Sequence, residues 1–376
     1  MKFMKKALII TTILSLALTM SGFTALAQDD PVESEDPGIN TGLVRSDAGG
    51  AAPIVKAKWE MWDAGKDDCD KPGAQFKPKG EYQANKTIKV CGIVTDPDGL
   101  ADITDGGGVY GDIYYPTGIK TGPSHPTSLE GTPAGCGKLL GTECRMNKLS
   151  KADGLALFCN KIRNDNNNLP TFYSTYGYDE ICKDDGELMK ETAAVFCCDK
   201  TLSYEDPSGD YRTLVFGLDK AGKDSNYLEN NFKYLPVAAF EVDFKAVNYD
   251  SVKLNTHKII NGDLNWDGIN NDAKPATIRN VGNTRIEVAV KQDDMGLGMT
   301  GTSYNVKYDG RIGSDASFRS YDPEVWQALD KWLNLSAMDE MDFSIDIFKF
   351  PPAHPDSYTG HMSLKAHNVA HLSCTQ

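Results

Sequence analysis

Residues 274–295, KPATIRNVGNTRIEVAVKQDDM, hold the clearest strand pattern in the chain. A short extended run at 277–279 meets a turn built from Asn280, Gly282 and Asn283. Ile286, Val288 and Val290 then alternate with Arg285, Glu287, Ala289 and Lys291. Apolar residues at every second position put one face of a strand against a core, and Asn and Gly tolerate tight-turn backbone. The stretch therefore predicts a hairpin of antiparallel strands with one buried face, the unit of a β-sandwich.

The pattern continues on both sides. Residues 239–249, 252–255, 304–308, 341–350 and 358–366 also read as strands, which brings the second half close to the seven or so of an immunoglobulin-like sandwich. Asp322, Pro323 and Glu324 predict the start of a short helix with Val325, Leu329, Trp332 and Leu333 on its apolar face. This second domain is expected over 228–376, with a C-terminal tail.

A first domain is expected over 53–227. Runs 54–62, 87–95 and 109–115 are strand-like, and Asp96-Pro97-Asp98-Gly99 is a turn. Tyr211 sits just after the turn at 206–210 and ahead of alternating residues, where such sandwiches place a tyrosine corner. Thr213 stands where antibody domains carry their second cysteine, so the antibody disulfide is not expected. Between these strands, about 130–200, a Cys-rich helical insertion is predicted. Ser150 to Asp153 fits a capping box ahead of Leu155, Phe158, Cys159 and Ile162, and 187–198 reads as a second helix through Leu188, Thr192 and Val195. The fold class is thus mainly β: two immunoglobulin-like β-sandwich domains, the first with the helical insertion.

The segments NFKYLP, AFEVDF, TIRNVGNT, KQDDMG and MDFSI in that order, with IVKAKWE, VTDPDGL and SYEDPSGDYR before them, resemble uncharacterised secreted surface proteins of archaea built from immunoglobulin-like modules. The resemblance covers most of the chain beyond its leader and implies a fold, with no activity or site attached. Many such proteins carry a C-terminal surface-sorting segment, which is not evident here.

Lys2, Lys5 and Lys6, an apolar run over 7–20 and Ala25-Leu26-Ala27 predict a signal peptide at 1–27. Residues 28–52 are acidic and poor in apolar side chains, so a disordered arm is expected. No later run reaches the roughly 18 apolar residues a membrane span needs. The net charge of −14 disfavours phosphate backbones and anionic lipid as partners. Nine cysteines in a chain with a secretory leader read as disulfides. Bonds are expected among Cys159, Cys182, Cys197 and Cys198, with Cys136–Cys144 and Cys69–Cys91 as the remaining pairs and Cys374 left over.

Asp263, Asn265 and Asp267 alternate ahead of Gly268, with Asp272 close behind. Oxygen ligands at loop positions one, three and five and a glycine at six resemble an EF-hand or dockerin calcium loop. Position twelve is Lys274 where a bidentate acid belongs, so the alternative is a polar turn. His367, His371 and Cys374 could share a metal or belong to a solvated tail. Residues 296–301, GLGMTG, match the dinucleotide fingerprint but lie between strands without a following helix, which makes them a loop. Asn85 and Asn334 begin N-glycosylation sequons.

These observations point to a secreted, non-enzymatic cell-surface or extracellular-matrix protein acting in structure or adhesion. Its partners would be surface or matrix components, copies of itself or glycans, with calcium as the one candidate cofactor. The alternatives are a carbohydrate-binding module or extracellular hydrolase, with Trp59, Trp62, Tyr173, Tyr176 and Tyr178 as sugar platforms, and a matrix-fibre subunit whose N-terminal arm pairs with a neighbour's sheet edge.

Overall fold

The computed structural model describes residues 50–62, 74–116, 140, 143–165, 169–269, 275–352 and 357–369, all within one compact unit, Asp47–Gln376. The expected leader and all but the last three residues of the acidic arm lie outside the described residues. Within the unit, strands build two separate sets of facing sheets, and the chain is mainly β.

The first set uses β1 (Ile54–Met61), β2 (Gln75–Phe76), β3 (Asn85–Thr95), β4 (Gly108–Tyr114) and β5 (Cys144–Arg145). It adds β6 (Asn147–Lys148), β7 (Thr171–Phe172), β8 (Ala193–Ser203), β9 (Gly209–Leu218) and β10 (Leu228–Tyr234). One sheet runs β6-β8-β3-β1-β7 and the other β2-β10-β9-β4-β5. Val90, Val94, Ile113, Phe196, Tyr211, Val215 and Phe232 fill the space between them. The outer face of the first sheet is also buried. Ala57, Trp59, Ile93 and Val195 point there and pack under Phe158, Ile162, Ile181 and Leu188. These four come from a helical segment and the turns after it: α1 (Lys151–Gly154), which continues as a π-helix over Leu155–Ile162, then α2 (Tyr178–Cys182). Ser150 caps α1 as its sequence predicts, its Oγ accepting from the Asp153 amide at 3.1 Å.

Burial on both faces explains one correction. The helix expected over 187–198 is a turn followed by β8, which pairs with β3 from Asn85↔Ser203 to Thr95↔Ala193. Ala193, Val195 and Cys197 face the helical segment while Ala194, Phe196 and Cys198 face the other sheet. A strand apolar on both sides has no alternation, so its spacing can imitate a helix. The boundary expected at 228 is corrected too. Residues 228–234 form β10, which pairs with β9 along its length and contributes Phe232 and Tyr234 to the first core.

The second set contains β11 (Phe240–Val242), β12 (Lys258–Ile260), β13 (Thr277–Asn280), β14 (Arg285–Gln292), β15 (Met299–Thr300) and β16 (Ser303–Tyr304). Then come β17 (Val306–Ile312), β18 (Arg319–Tyr321), β19 (Gln327–Ala328), β20 (Met338–Ile347) and β21 (Met362–Val369). One sheet runs β11-β13-β20-β17-β18 with β12 also on β20, and it faces the sheet β19-β14-β21. Ile278, Ile286, Val288, Val290, Tyr308, Phe343 and Ile345 form the core. Residues 243–255, expected to be largely strand, have no regular structure.

The predicted hairpin at 277–292 is corrected. Its two strands form, and Ile286, Val288 and Val290 are buried, but β13 and β14 belong to opposite sheets. The turn is an arch across the core. Its Asn280 Nδ2 reaches the carbonyl oxygens of Thr284 at 2.8 Å and Asn334 at 2.9 Å, which satisfies backbone groups that a hairpin would have paired across its own ladder. The helix expected after Asp322 is likewise absent. The chain there runs extended beside β14, with the Leu329 amide on Val288 O and the Leu333 amide on Ile286 O, both at 2.9 Å. Leu329 and Leu333 are four apart, and an even spacing keeps two residues on one face of an extended chain as well as of a helix.

Asn283 joins the two sets. It is fully buried, and its side chain accepts from the Val237 amide at 2.8 Å and donates to Leu235 O at 3.0 Å, holding the linker that follows β10. A Cβ on neighbouring Gly282 would lie 2.0 Å from Val237 O, so the arch approaches the linker only with glycine there. Arg279 adds a second tie. Its guanidinium lies between the rings of Tyr82 and Trp266, at 3.6 and 3.7 Å, and is held by Glu241.

Candidate functional site

The cysteines form three described bonds: Cys91–Cys197, Cys144–Cys198 and Cys159–Cys182. Only the last stays within the helical segment as expected. The pairs Cys69–Cys91 and Cys136–Cys144 are corrected, because Cys91 on β3 lies directly opposite Cys197 on β8. Cys198, one residue on, points to the other side of that strand and meets Cys144 of the second sheet. Nearness in sequence misled the pairing; adjacent residues of one strand face opposite ways. Cys69, Cys136 and Cys374 lie outside the described residues.

The candidate calcium loop is a set of turns closed on itself. Asp263 Oδ1 accepts from the Asn265 amide at 3.0 Å and lies 3.3 Å from the Thr277 hydroxyl, while Asn265 Nδ2 donates to Asp267 Oδ1 at 2.8 Å. Buried Asp243, which sequence reasoning missed, anchors the loop by accepting from the amides of Thr277 and Asp267. For calcium to sit here, Asn265 would have to turn its amide oxygen inward. Asp272 lies outside the described residues. Among those described, three carboxylate or histidine ligand atoms come within 4.8 Å of one another elsewhere, in Asp96–Asp98–Asp102 and in His257–Asp309–Asp346. In the second group His257 Nδ1 is 3.2 Å from Asp346, and Asp309 accepts from the Ser344 hydroxyl at 2.7 Å.

The other sequence candidates are dispersed. Trp59 is fully buried under the helical segment and stacks near Phe158 at 5.0 Å, so it is unavailable as a sugar platform. Tyr178 packs in the same cluster. Tyr173 and Tyr176 remain as a stacked pair, 6.3 Å apart, beside Lys56. Trp62 lies under Lys86 and borders a cavity of about 270 Å³ whose acidic wall residue, among those described, is Asp199. Asn85 is exposed at the start of β3, and Asn334 accepts from Arg285 at 2.8 Å. His367 lies on β21, while His371 lies outside the described residues. Gly296 and Gly298 precede the β15–β16 hairpin and Gly301 lies in its turn, so the stretch is a loop as expected.

A further cluster of reactive groups has no signature in the sequence. Lys58 and Glu60 are two apart on β1, so both point between the two sheets, and they are 0% and 1% exposed. Thr213 and Asn230 are directly paired on β9 and β10 and face them from the opposite sheet. Lys58 Nζ contacts Glu60 Oε1, Asn230 Oδ1 and, at 2.6 Å, Thr213 Oγ1. Glu60 Oε2 accepts from Asn230 Nδ2 at 3.0 Å, and Thr213 Oγ1 lies 2.7 Å from Asn230 Oδ1. Burial holds the Lys58 amine below the usual lysine range, with Glu60 and then Glu229 pulling it back up. In the sequence the run KAKWE reads as a strand with lysines and glutamate on its wet face. No local signal says that this face is turned inward.

No protein-family model matches the chain, and no curated protein matches it. Among solved structures it is similar to the C-terminal domain of the Streptococcus pyogenes antigen I/II-family protein AspA, at 11% identity and a TM-score of 0.22, over 86% of this chain and 97% of that one. A likeness at that score carries no argument about fold or function.

Proposed function

We propose that this is a secreted, non-enzymatic protein of the cell surface or extracellular matrix, acting in structure or adhesion through immunoglobulin-like sandwiches. The observation that carries the reading is the set of three disulfides in the first half, two of them anchored on β8. Bonds of this kind persist in oxidising compartments and are rare where thiols are kept reduced. The immunoglobulin-like detail is supported by Tyr211, whose hydroxyl donates to Pro207 O at 2.7 Å, the back-bond of a tyrosine corner. The likeness to archaeal surface proteins in the sequence belongs to the same proposal, as do partners among surface or matrix components.

Immunogold labelling of intact native cells, paired with thiol alkylation before and after reduction, tests it. Label at the surface or in the matrix, with Cys91 and Cys197 alkylated only after reduction, is the expected result. Protein confined to the cytoplasm with freely alkylated thiols would overturn the reading.

A further inference from the structure

We propose that Lys58 and Asn230 are joined by a self-formed isopeptide bond between the Lys58 side-chain nitrogen and the Asn230 side-chain carbonyl carbon, with Glu60 as the proton carrier. The inference goes beyond the functional proposal and does not rest on it. An amine, a carboxamide and a carboxyl group are held together between two sheets, with the amine touching Asn230 Oδ1, one bond from the carbon it would attack. Glu60 touches both nitrogens that must exchange protons, Lys58 Nζ through Oε1 and Asn230 Nδ2 through Oε2. Thr213 Oγ1 lies beside the oxygen on which negative charge would develop.

Burial favours the first step. A lysine–glutamate ion pair at 0% and 1% exposure is removed from water, and moving one proton from Nζ to the carboxylate leaves both groups neutral. The freed lone pair attacks Asn230 Cγ, and the Thr213 hydroxyl donates to the resulting oxyanion. Glu60 passes its proton to Nδ2 and receives the second Nζ proton as the Cγ–Nδ2 bond breaks. Amine plus carboxamide becomes secondary amide plus ammonia, with no oxidant, reductant or other reactant. Asn230 is only half-buried, which gives the ammonia a way out. Fixed positions replace the high concentration that amide aminolysis otherwise demands.

The product would tie the first strand of the first sandwich to its last, across two sheets that share no backbone ladder. The test is peptide mapping of the full secreted chain after complete reduction. The expected result is one branched peptide joining the segments that contain Lys58 and Asn230, lighter than their sum by one ammonia, with no tryptic cleavage after Lys58. Glu60→Gln should lose the branched peptide altogether. Asn230→Asp should keep the same branch with loss of water in place of ammonia, so a failure of Glu60→Gln to fold leaves the question decidable. Linear peptides throughout the wild-type map, with cleavage after Lys58, would overturn the proposal and leave the four residues as a hydrogen-bonded buried ion pair.

Discussion

The two sandwiches of this molecule solve the same packing problem with different means. The first has three disulfides among its described residues, carries a helical layer on one sheet and places Lys58, Glu60, Thr213 and Asn230 between its sheets. The second shows no disulfide among its described residues. It relies on a core of Ile, Val, Phe and Tyr side chains and on asparagines that satisfy backbone groups where the chain arches between sheets. Its buried acids are held by basic or polar partners, such as Asp342 by Arg311 at 2.7 Å. The difference shows that polar groups can stand between the sheets of a sandwich where they partner one another across them.

The largest expected effect separates the halves by their covalent links. Replacing Cys91 and Cys197 together by alanine should destabilise the first sandwich by up to about 5 kcal/mol, the chain-entropy value for closing a loop near 100 residues. Hydrogen exchange read by mass spectrometry should show faster exchange in 85–95 and 193–203 and none of it in 338–347. Equal acceleration in both halves would mean that the two stand or fall together. Phe343→Ala is the converse, removing a fully buried ring from the second core at a cost of about 3–5 kcal/mol, with exchange rising in 338–347 first.

Asn283→Ala acts on the joint. It strands the Val237 amide and Leu235 carbonyl, and the expected loss is about 1–3 kcal/mol. Calorimetry should then resolve two transitions where the wild type gives closer ones; an unchanged profile would show that Arg279 and its stacking partners suffice. Titration of Lys58 is a finer probe. In Asn230→Ala the amine persists, its pKa lowered by burial, so between the folded and unfolded values the unfolded chain binds the extra proton. Stability of that variant should therefore rise with pH through this window, while Glu60 and Glu229 narrow it. Urea melts across the alkaline range measure it, and a slope equal to that of a linked wild type would argue against a buried amine. The smallest effect concerns calcium. If Asp263, Asn265, Asp267 and Asp272 take the ion at millimolar concentration, the second sandwich should gain about 1 kcal/mol or less, an effect lost in Asp263→Ala/Asp267→Ala. A melting temperature indifferent to calcium leaves the loop as the self-bonded turn that the structure shows.

Most strands are legible in the amino-acid sequence. Residues 54–61, 85–95 and 285–292 form where alternation or β-branched content places them, because one strand's periodicity is a local property. Two of the misreadings share one cause. The 187–198 run and the segment after Asp322 are apolar at helical spacing, yet their amides are committed to ladders with β3 and β14. The 277–292 stretch yields both of its strands, but turn residues do not say whether a turn closes a hairpin or crosses a core.

The mainly β character, the acidic composition, the Ser150 cap and the cysteines available for bonding are all readable from the residues alone. These depend on composition and on contacts a few residues apart. Which cysteines meet, that Trp59 faces a helical layer, and that Lys58 and Glu60 look into the sandwich rather than outward emerge from packing. Each is a choice between the two faces of a strand. A period of two names the faces without saying which is inside, and partners some 170 residues away settle it, as Asn230 does for Lys58.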